Sequence, residues 1–481
     1  MTINIYNSQT SKKEVFAAQY PGKVNMYTCG VTVYDSCHIG HARSLYVFEV
    51  IRRYLKFSGY DIKLVRNITD VDDKIIKKAR DWAKRDNISL KQAFESVRNF
   101  YIKDYYDDLK GLGLPKADVE PKATENIKQI IEYISGLIEK GFAYEQNGNV
   151  YFSPRKLDNY GSLSGNSLDQ VQDSVRIEAD IDKKDPVDFA LWKKVKEEEP
   201  SWESPWGNGR PGWHIECSVM SREYLGVDTL DIHGGGRDLI FPHHENEKAQ
   251  SEAFTGKKFA NYWIHHGLLT INAQKMAKSA GNFVTIKDVL KRYSADILKI
   301  FYLQAHYSSS LDFSWEKMEE SKKNYEKISL LLDRLDRYLM GKQEQPEQAW
   351  GTGVKPGQFF REEFKSAMDD NFNMATARAV LFDIVTAANS ELDRDDSLKN
   401  DSKLVYARNV LREIIDVLAL SFEKKQLDGI NERKIVEKIE LRLKYKKQRD
   451  FKAADKIRDE LQEIGIVIED TKDGKTTWRI S

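Results

Sequence analysis

The chain has 481 residues, room for about three domains of roughly 150 residues each, and no run reaches the ~18 uninterrupted apolar residues of a membrane span. Its 75 basic and 75 acidic residues cancel, which excludes nucleic-acid binding driven by overall charge and leaves room only for a local basic face. The three cysteines (Cys29, Cys37 and Cys217) cannot pair completely, and the polar stretch 1–13 lacks a signal peptide's apolar run, so a reducing, cytoplasmic setting is expected.

In chain order, 24–28 reads as a buried strand ending at a loop that starts with Cys29. Over 42–58, Leu45, Phe48, Ile51 and Leu55 recur at helical spacing, and Gly59 is a suitable stop. With 62–68 as the next strand, this is a parallel crossover unit, and its ligands belong at the carboxyl ends of the strands, where Cys29 and Thr69 fall. The character changes over 118–200, with a helix at 123–140 and short strands near 149–152, which reads as an insertion splitting the sheet domain. The sheet is expected to resume near Trp213, with a strand at 229–233. Helical patterning runs from 316 to about 424, broken by a polar linker at 341–357, as in a helix bundle. The tail reads as one long charged helix, about 432–464, and two strands, 466–469 and 476–480.

The predicted class is therefore α/β. A Rossmann-type parallel-sheet domain comes in two halves (1–117 and 211–265) around a connective insertion (118–210). A connecting region (266–315), a helical bundle (316–425) and a small mixed α/β C-terminal domain (426–481) follow.

Nine histidines are present and none lies beyond His306, which places the chemistry upstream. His38 and His41 share the first turn of the first helix, where free N–H groups and the helix dipole favour anions, and Gly40 between them leaves room for a phosphate or a flat ring. Lys275 and Lys278, beside Gly281 and Asn282, make a cationic loop able to close over phosphates. Taken alone, either pair is an ordinary helix start or a solvated loop. His243 and Glu247 stand at i, i+4 after Pro242, and with Cys29 and Cys217 they would suit zinc. On spacing alone His244, at i, i+3 from Glu247, serves as well as His243, and two buried cysteines can be plain small hydrophobes.

Together these residues resemble the two signatures of class I aminoacyl-tRNA synthetases. More narrowly, the stretches YTCGVTVYD (27–35), NITDVDDK (67–74), GWHIECS (212–218), DIHGGGRDL (231–239) and FPHHENE (241–247) resemble the cysteinyl-tRNA synthetases. The resemblance implies catalytic roles for His38, His41, Lys275 and Lys278, and zinc ligands at Cys29, Cys217, His243 and Glu247. It implies a cysteine pocket at Gly30, Thr69, Trp213 and His233, and nucleotide contacts at Gly40, Gly236, Asp238 and Lys278. It also makes 266–315 a stem-contact region and 426–481 an anticodon-binding domain. One departure is Ala277, where the family's usual loop has serine.

The implied reaction joins L-cysteine to the 3′ end of tRNA(Cys) through cysteinyl-adenylate, with ATP as substrate, Mg²⁺ on its phosphates and one zinc per chain, in a monomer without membrane contact. A shaped apolar pocket separates near-isosteres by only about 10–200-fold, whereas a metal already holding thiolates prefers sulfur, so no editing module is expected. From 431 to 458 eleven Lys/Arg stand against five Asp/Glu, a net of +6, which would form an RNA-tracking stripe on a single helix. The rival reading is an ATP-dependent ligase joining cysteine to an amino sugar, which would share the catalytic residues but has no need of a basic tail.

Overall fold

The N-terminal crossover seeds a four-stranded parallel sheet in the computed structural model, which describes residues 2–168, 182–196, 198–276, 281–342, 346–348, 359–422, 432–463, 466–470 and 476–480. Two compact units divide the chain, Met1–Ser421 and Phe422–Ser481. In the first, an antiparallel hairpin of β1 (Asn4–Asn7) and β2 (Lys12–Val15) precedes β3 (Lys23–Thr28). α1 (Ile39–Phe57) crosses over, and β4 (Asp61–Arg66) returns parallel to β3 with Met26 beside Leu64. Gly59 follows the α1 cap at φ +94°, a backbone geometry that a residue without Cβ adopts at no cost. α2 (Asp73–Asp86) and α3 (Leu90–Gly111) then pack as a helical pair.

Within the insertion, α4 (Ile127–Glu139) backs an antiparallel sheet of β5 (Ala143–Gln146), β6 (Asn149–Phe152), β7 (Phe189–Lys194) and β8 (Gly209–Pro211). Ile130, Ile134, Leu137, Phe152 and Trp192 form its core. The parallel sheet does not resume at Trp213. That residue opens the helix α5 (Trp213–Leu225), and β8 belongs to the insertion's own sheet. The alternation of Trp213, Ile215, Cys217 and Val219 with polar residues has a strand's period, yet here Ile215 and Val219 at i, i+4 pack into the insertion core from a helix. The sheet resumes with β9 (Leu230–Gly236), then α6 (Glu245–Thr255) and β10 (Ala260–His266), in the order β10–β9–β3–β4. β9 pairs with β3, Tyr27 beside His233, although the insertion separates them in the chain.

A small sheet of β11 (Leu269–Ile271), β12 (Gln274–Lys275) and β13 (Leu311–Phe313) follows, with α7 (Ile286–Leu290) and α8 (Ala295–Tyr302) between its last two strands. α9 (Trp315–Leu339), α10 (Phe360–Asp369), α11 (Met374–Leu392) and α12 (Asp401–Val417) pack as a bundle in which Leu331, Leu335, Ile384 and Leu411 are fully buried.

The second unit corrects the single long tail helix. α13 (Glu432–Lys447) and α14 (Phe451–Glu463) are separate helices, broken at Arg449 with φ +62°. Asp450 caps the second one, its carboxylate accepting from the Ala453 N–H at 3.1 Å. Folding back lets Ile435, Ile439, Ile457 and Leu461 share one core with Ile466. The cations are therefore divided between two helices, and Arg442 is buried at 1% exposure. β14 (Ile466–Asp470) and β15 (Thr476–Ile480) pair antiparallel at the end.

Candidate active site

Cys29 leaves the carboxyl end of β3, and Cys217 lies on α5 where that helix crosses beneath the sheet edge; their sulfurs stand 3.9 Å apart. Cys29 Sγ is 3.2 Å from Glu247 Oε1, Cys217 Sγ is 3.6 Å from His243 Nε2, and His243 Nε2 is 2.8 Å from Glu247 Oε1. All four ligand atoms fall within 4.8 Å of one another. A tetrahedral ion with metal–sulfur bonds of about 2.3 Å has sulfur–sulfur edges of about 3.8 Å, so the two sulfurs already stand at the spacing such an ion requires, while His243 and Glu247 are drawn together by their own hydrogen bond. A second grouping, Cys29, His233, His244 and Glu247, overlaps the first.

Around these donors a shell of side chains fixes their orientation. Glu247 Oε2 accepts from His233 Nε2 at 2.7 Å; against burial, His243 and His233 hold the carboxyl well below the usual carboxylate range. His214 Nδ1 faces His243 Nδ1 at 2.9 Å, and the Trp213 ring stacks on His243 with centroids 4.2 Å apart. His244 Nε2 approaches Cys29 Sγ at 3.3 Å, and its other nitrogen faces His265 at 2.8 Å. Burial drives the His214, His244 and His265 imidazoles well below their ordinary pKa, so all three stay neutral at pH 7.

Thr69 is buried beside this cluster, donating to Glu216 Oε2 at 3.0 Å and accepting from the Asn67 amide at 3.1 Å. Burial, together with the charge of Cys217, pushes the Glu216 carboxyl well above the usual range. Gly30 packs so tightly on the segment after β4 that a Cβ would stand 1.6 Å from the Asn67 carbonyl oxygen. The glycine run in β9 has the same physical cause. A Cβ on Gly234 would meet the Phe48 ring at 2.2 Å, one on Gly235 the His244 ring at 2.6 Å, and one on Gly236 the Asp238 carboxylate at 2.5 Å.

At the start of α1, His38 is the N-cap and His41 lies three residues on, their rings stacked at 3.7 Å. The Gly40 and His41 N–H groups donate to His38 Nδ1 at 3.0 and 3.3 Å, and the His38 N–H donates to His41 Nδ1 at 3.3 Å. Two N–H groups expected to await an anion are thus capped by His38 itself, and a Cβ on Gly40 would stand 2.7 Å from the His38 ring. Both rings accept at Nδ1, so the neutral form of each carries its proton on Nε2. Burial pushes His38 down to about 4 and His41 well below its ordinary value, which makes them neutral donors. The backbone of Lys275 lies in β12, opposite Thr270. Lys278, with Ala277 and Ser279, lies outside the described residues.

A family model described as "tRNA synthetases class I (C) catalytic domain" matches residues 15–323, a DALR domain model matches 363–423, and a "Cysteinyl-tRNA ligase anticodon binding domain" matches 441–479. A protein named Cysteine--tRNA ligase from Sulfurihydrogenibium sp. (strain YO3AOP1) is 46% identical over 100% of both chains. One of the same name from Geobacillus thermodenitrificans (strain NG80-2) is 46% identical over 99% of each. The chain belongs to the cysteine–tRNA ligase family. Solved structures share the class I synthetase fold at much lower identity. A putative arginyl-tRNA synthetase from Campylobacter jejuni aligns with TM-score 0.59 at 14% identity, over 85% of this chain and 95% of the other. Mycobacterium tuberculosis methionyl-tRNA synthetase, in complex with methionyl-adenylate, gives 0.61 at 12%, over 82% and 91%.

Several side chains of this ligase-family site carried only a weak signal in sequence. His214 and Glu216 fall inside the stretch GWHIECS and His265 outside every such stretch, yet none of the three was singled out for a role. The doublets at His243–His244 and His265–His266 were visible, but nothing local says which ring faces the sulfurs.

Proposed function

We propose that this chain uses ATP to activate L-cysteine as cysteinyl-adenylate and transfers the cysteinyl group to the 3′ end of tRNA(Cys). The observation that carries the reading is full-length kinship with cysteine–tRNA ligases, anticodon-binding domain included, in a chain whose Cys29 and Cys217 meet His243 and Glu247. The amino-sugar ligase reading leaves that domain without a purpose.

In the first step an oxygen of the cysteine carboxylate attacks the α-phosphorus of ATP, the bond to the bridging oxygen breaks, and pyrophosphate leaves. His38 and His41, fixed by their backbone bonds at Nδ1, turn Nε2–H donors to the phosphate oxygens as charge builds on them. Lys275 and Lys278 supply cationic charge for the leaving pyrophosphate, Mg²⁺ accompanies the triphosphate, and Gly40, Gly236 and Asp238 flank the nucleotide. In the second step a terminal ribose hydroxyl of the tRNA, the 2′-OH by family resemblance, takes the acyl group and adenylate leaves.

Cys29, Cys217, His243 and Glu247 would hold a zinc ion, with His233 and His214 steering Glu247 and His243 from behind. When bound, zinc supplies a soft Lewis acid that favours the substrate thiolate over a serine hydroxyl. Gly30, Thr69, Trp213 and His233 line the pocket for the rest of the amino acid. The region 266–315 contacts the stem region, 426–481 reads the anticodon, and the protein acts as a cytoplasmic monomer.

ATP–pyrophosphate exchange tests the reading. Cysteine should drive exchange, serine should drive it far less, and a zinc chelator should abolish it. A zinc-loaded chain with no cysteine-dependent exchange would overturn it.

A further inference from the structure

Lys74, the second residue of α2, stands beside the loop joining Cys29 to His38 and has no ion-pair partner among the described residues. The carboxylate of Asp72, the helix cap, accepts from the Lys74 backbone N–H at 2.7 Å, while Asp73 is committed to Lys193 and Arg210 on the insertion sheet. Among the described residues no carboxylate comes within ion-pair distance of the Lys74 ammonium. The side chain is exposed, and its Nζ rests 5.1 Å from the centre of the Tyr34 ring, on the loop joining Cys29 to His38. Its charge reaches His41: burial keeps that imidazole neutral, and His38, His266 and Lys74 press in the same direction.

A cation in the first turn of a helix sits at the end where the dipole disfavours it. Neither an ion pair among the described residues nor helix electrostatics therefore accounts for a lysine here, and the contact with Tyr34 holds the side chain against the loop between Cys29 and His38. The stretch Thr69 to Lys74 thus brings a pocket residue and this ammonium to the loop between Cys29 and His38, Thr69 bridging Thr32 and Lys74 resting on Tyr34, so an oxyanion bound at that loop would meet the ammonium. Resting on the synthetase reading above, we propose that Lys74 is a phosphate-binding residue of the active site, engaging phosphate oxygens of ATP or of the RNA 3′ end.

Two assays on the zinc-loaded full chain separate the sources: pyrophosphate exchange across an ATP titration, and single-turnover transfer from preformed adenylate to tRNA. Lys74→Ala should weaken one of them by about tenfold or more, and Lys74→Arg should recover most of the loss. A raised KM for ATP in exchange identifies the triphosphate; intact exchange with slowed transfer identifies the RNA. Lys74→Gln, which keeps the stem, guards against a folding defect in the alanine variant. The proposal is overturned if both neutral variants stay within about twofold of wild type in both assays, or if arginine is no better than alanine. A wild-type chain without cysteine-dependent exchange would instead overturn the functional reading itself.

Discussion

Asp108, near the end of α3, is 1% exposed, and burial drives its carboxyl up to about 7, opposed by Lys287 and assisted by Asp104. The folded chain therefore holds this proton more tightly than the unfolded chain, where aspartate titrates near 3.9. The resulting stability is complete below about pH 3.9 and is lost as pH rises through about 7. Asp108→Asn should match wild type in urea unfolding at pH 4 and exceed it at pH 8, by at most about 4 kcal/mol at ~1.36 kcal/mol per pKa unit. Cys217→Ser swaps a soft donor for a hard one and should lower bound zinc well below one per chain by metal analysis, with the fold retained in circular dichroism. At Gly30 the added methyl of alanine meets backbone that cannot yield, so Gly30→Ala should cost about 1–3 kcal/mol or more and speed zinc release to a chelator. Sequence could mark Gly30 only as part of a motif, because the carbonyl it lies against belongs to Asn67 on another strand connection.

Among the elements, α1 shows how a single side chain ties the two signature regions together. Arg43 is 1% exposed and donates to the carbonyls of Gly267, Leu268, Tyr307 and Ser309, linking α1 to the segment that leads into the lysine-bearing hairpin β11–β12 and to the turn that leads into β13. Burial lowers its pKa to about 10, which still leaves it charged at neutral pH. Arg43→Met would leave four carbonyls short of a donor, and at ~1–3 kcal/mol for each one left unsatisfied, a loss of at least about 3 kcal/mol is expected in urea unfolding. The helical face of α1 was legible because Leu45, Phe48, Ile51 and Leu55 repeat at the helical period. The arginine's four acceptors were not, since their chain positions lie more than 200 residues away. The tail shows the converse error. Its charge pattern suited one helix, yet a local signal for the break, Asp450 as a cap, stood in the sequence, and the apolar residues on either side of it satisfy each other only when the chain folds back.

For the whole molecule, the division into Met1–Ser421 and Phe422–Ser481 allows the two halves of the reaction to be separated. A chain ending at Ser421 should keep cysteine-dependent pyrophosphate exchange within about threefold, yet lose tRNA charging by about 100-fold or more, because the phosphate contacts of a basic module contribute much of RNA affinity. Equal loss in both assays would contradict this. Sequence by itself determined what depends on near neighbours: the crossover unit, the helical periods, the His38–His41 turn, the i, i+4 relation of His243 to Glu247, and the motifs that mark the family. Tertiary structure decided what depends on pairs far apart in the chain. Cys29 and Cys217 are 188 residues apart, and they meet at 3.9 Å because β9 pairs with β3 across the insertion while α5 packs on β4 of the same sheet. Burial made the remaining decisions. Which way a histidine or a glutamate is pushed, and what a lysine meets, follows from the groups the fold brings against it, and a one-dimensional pattern carries no record of those neighbours.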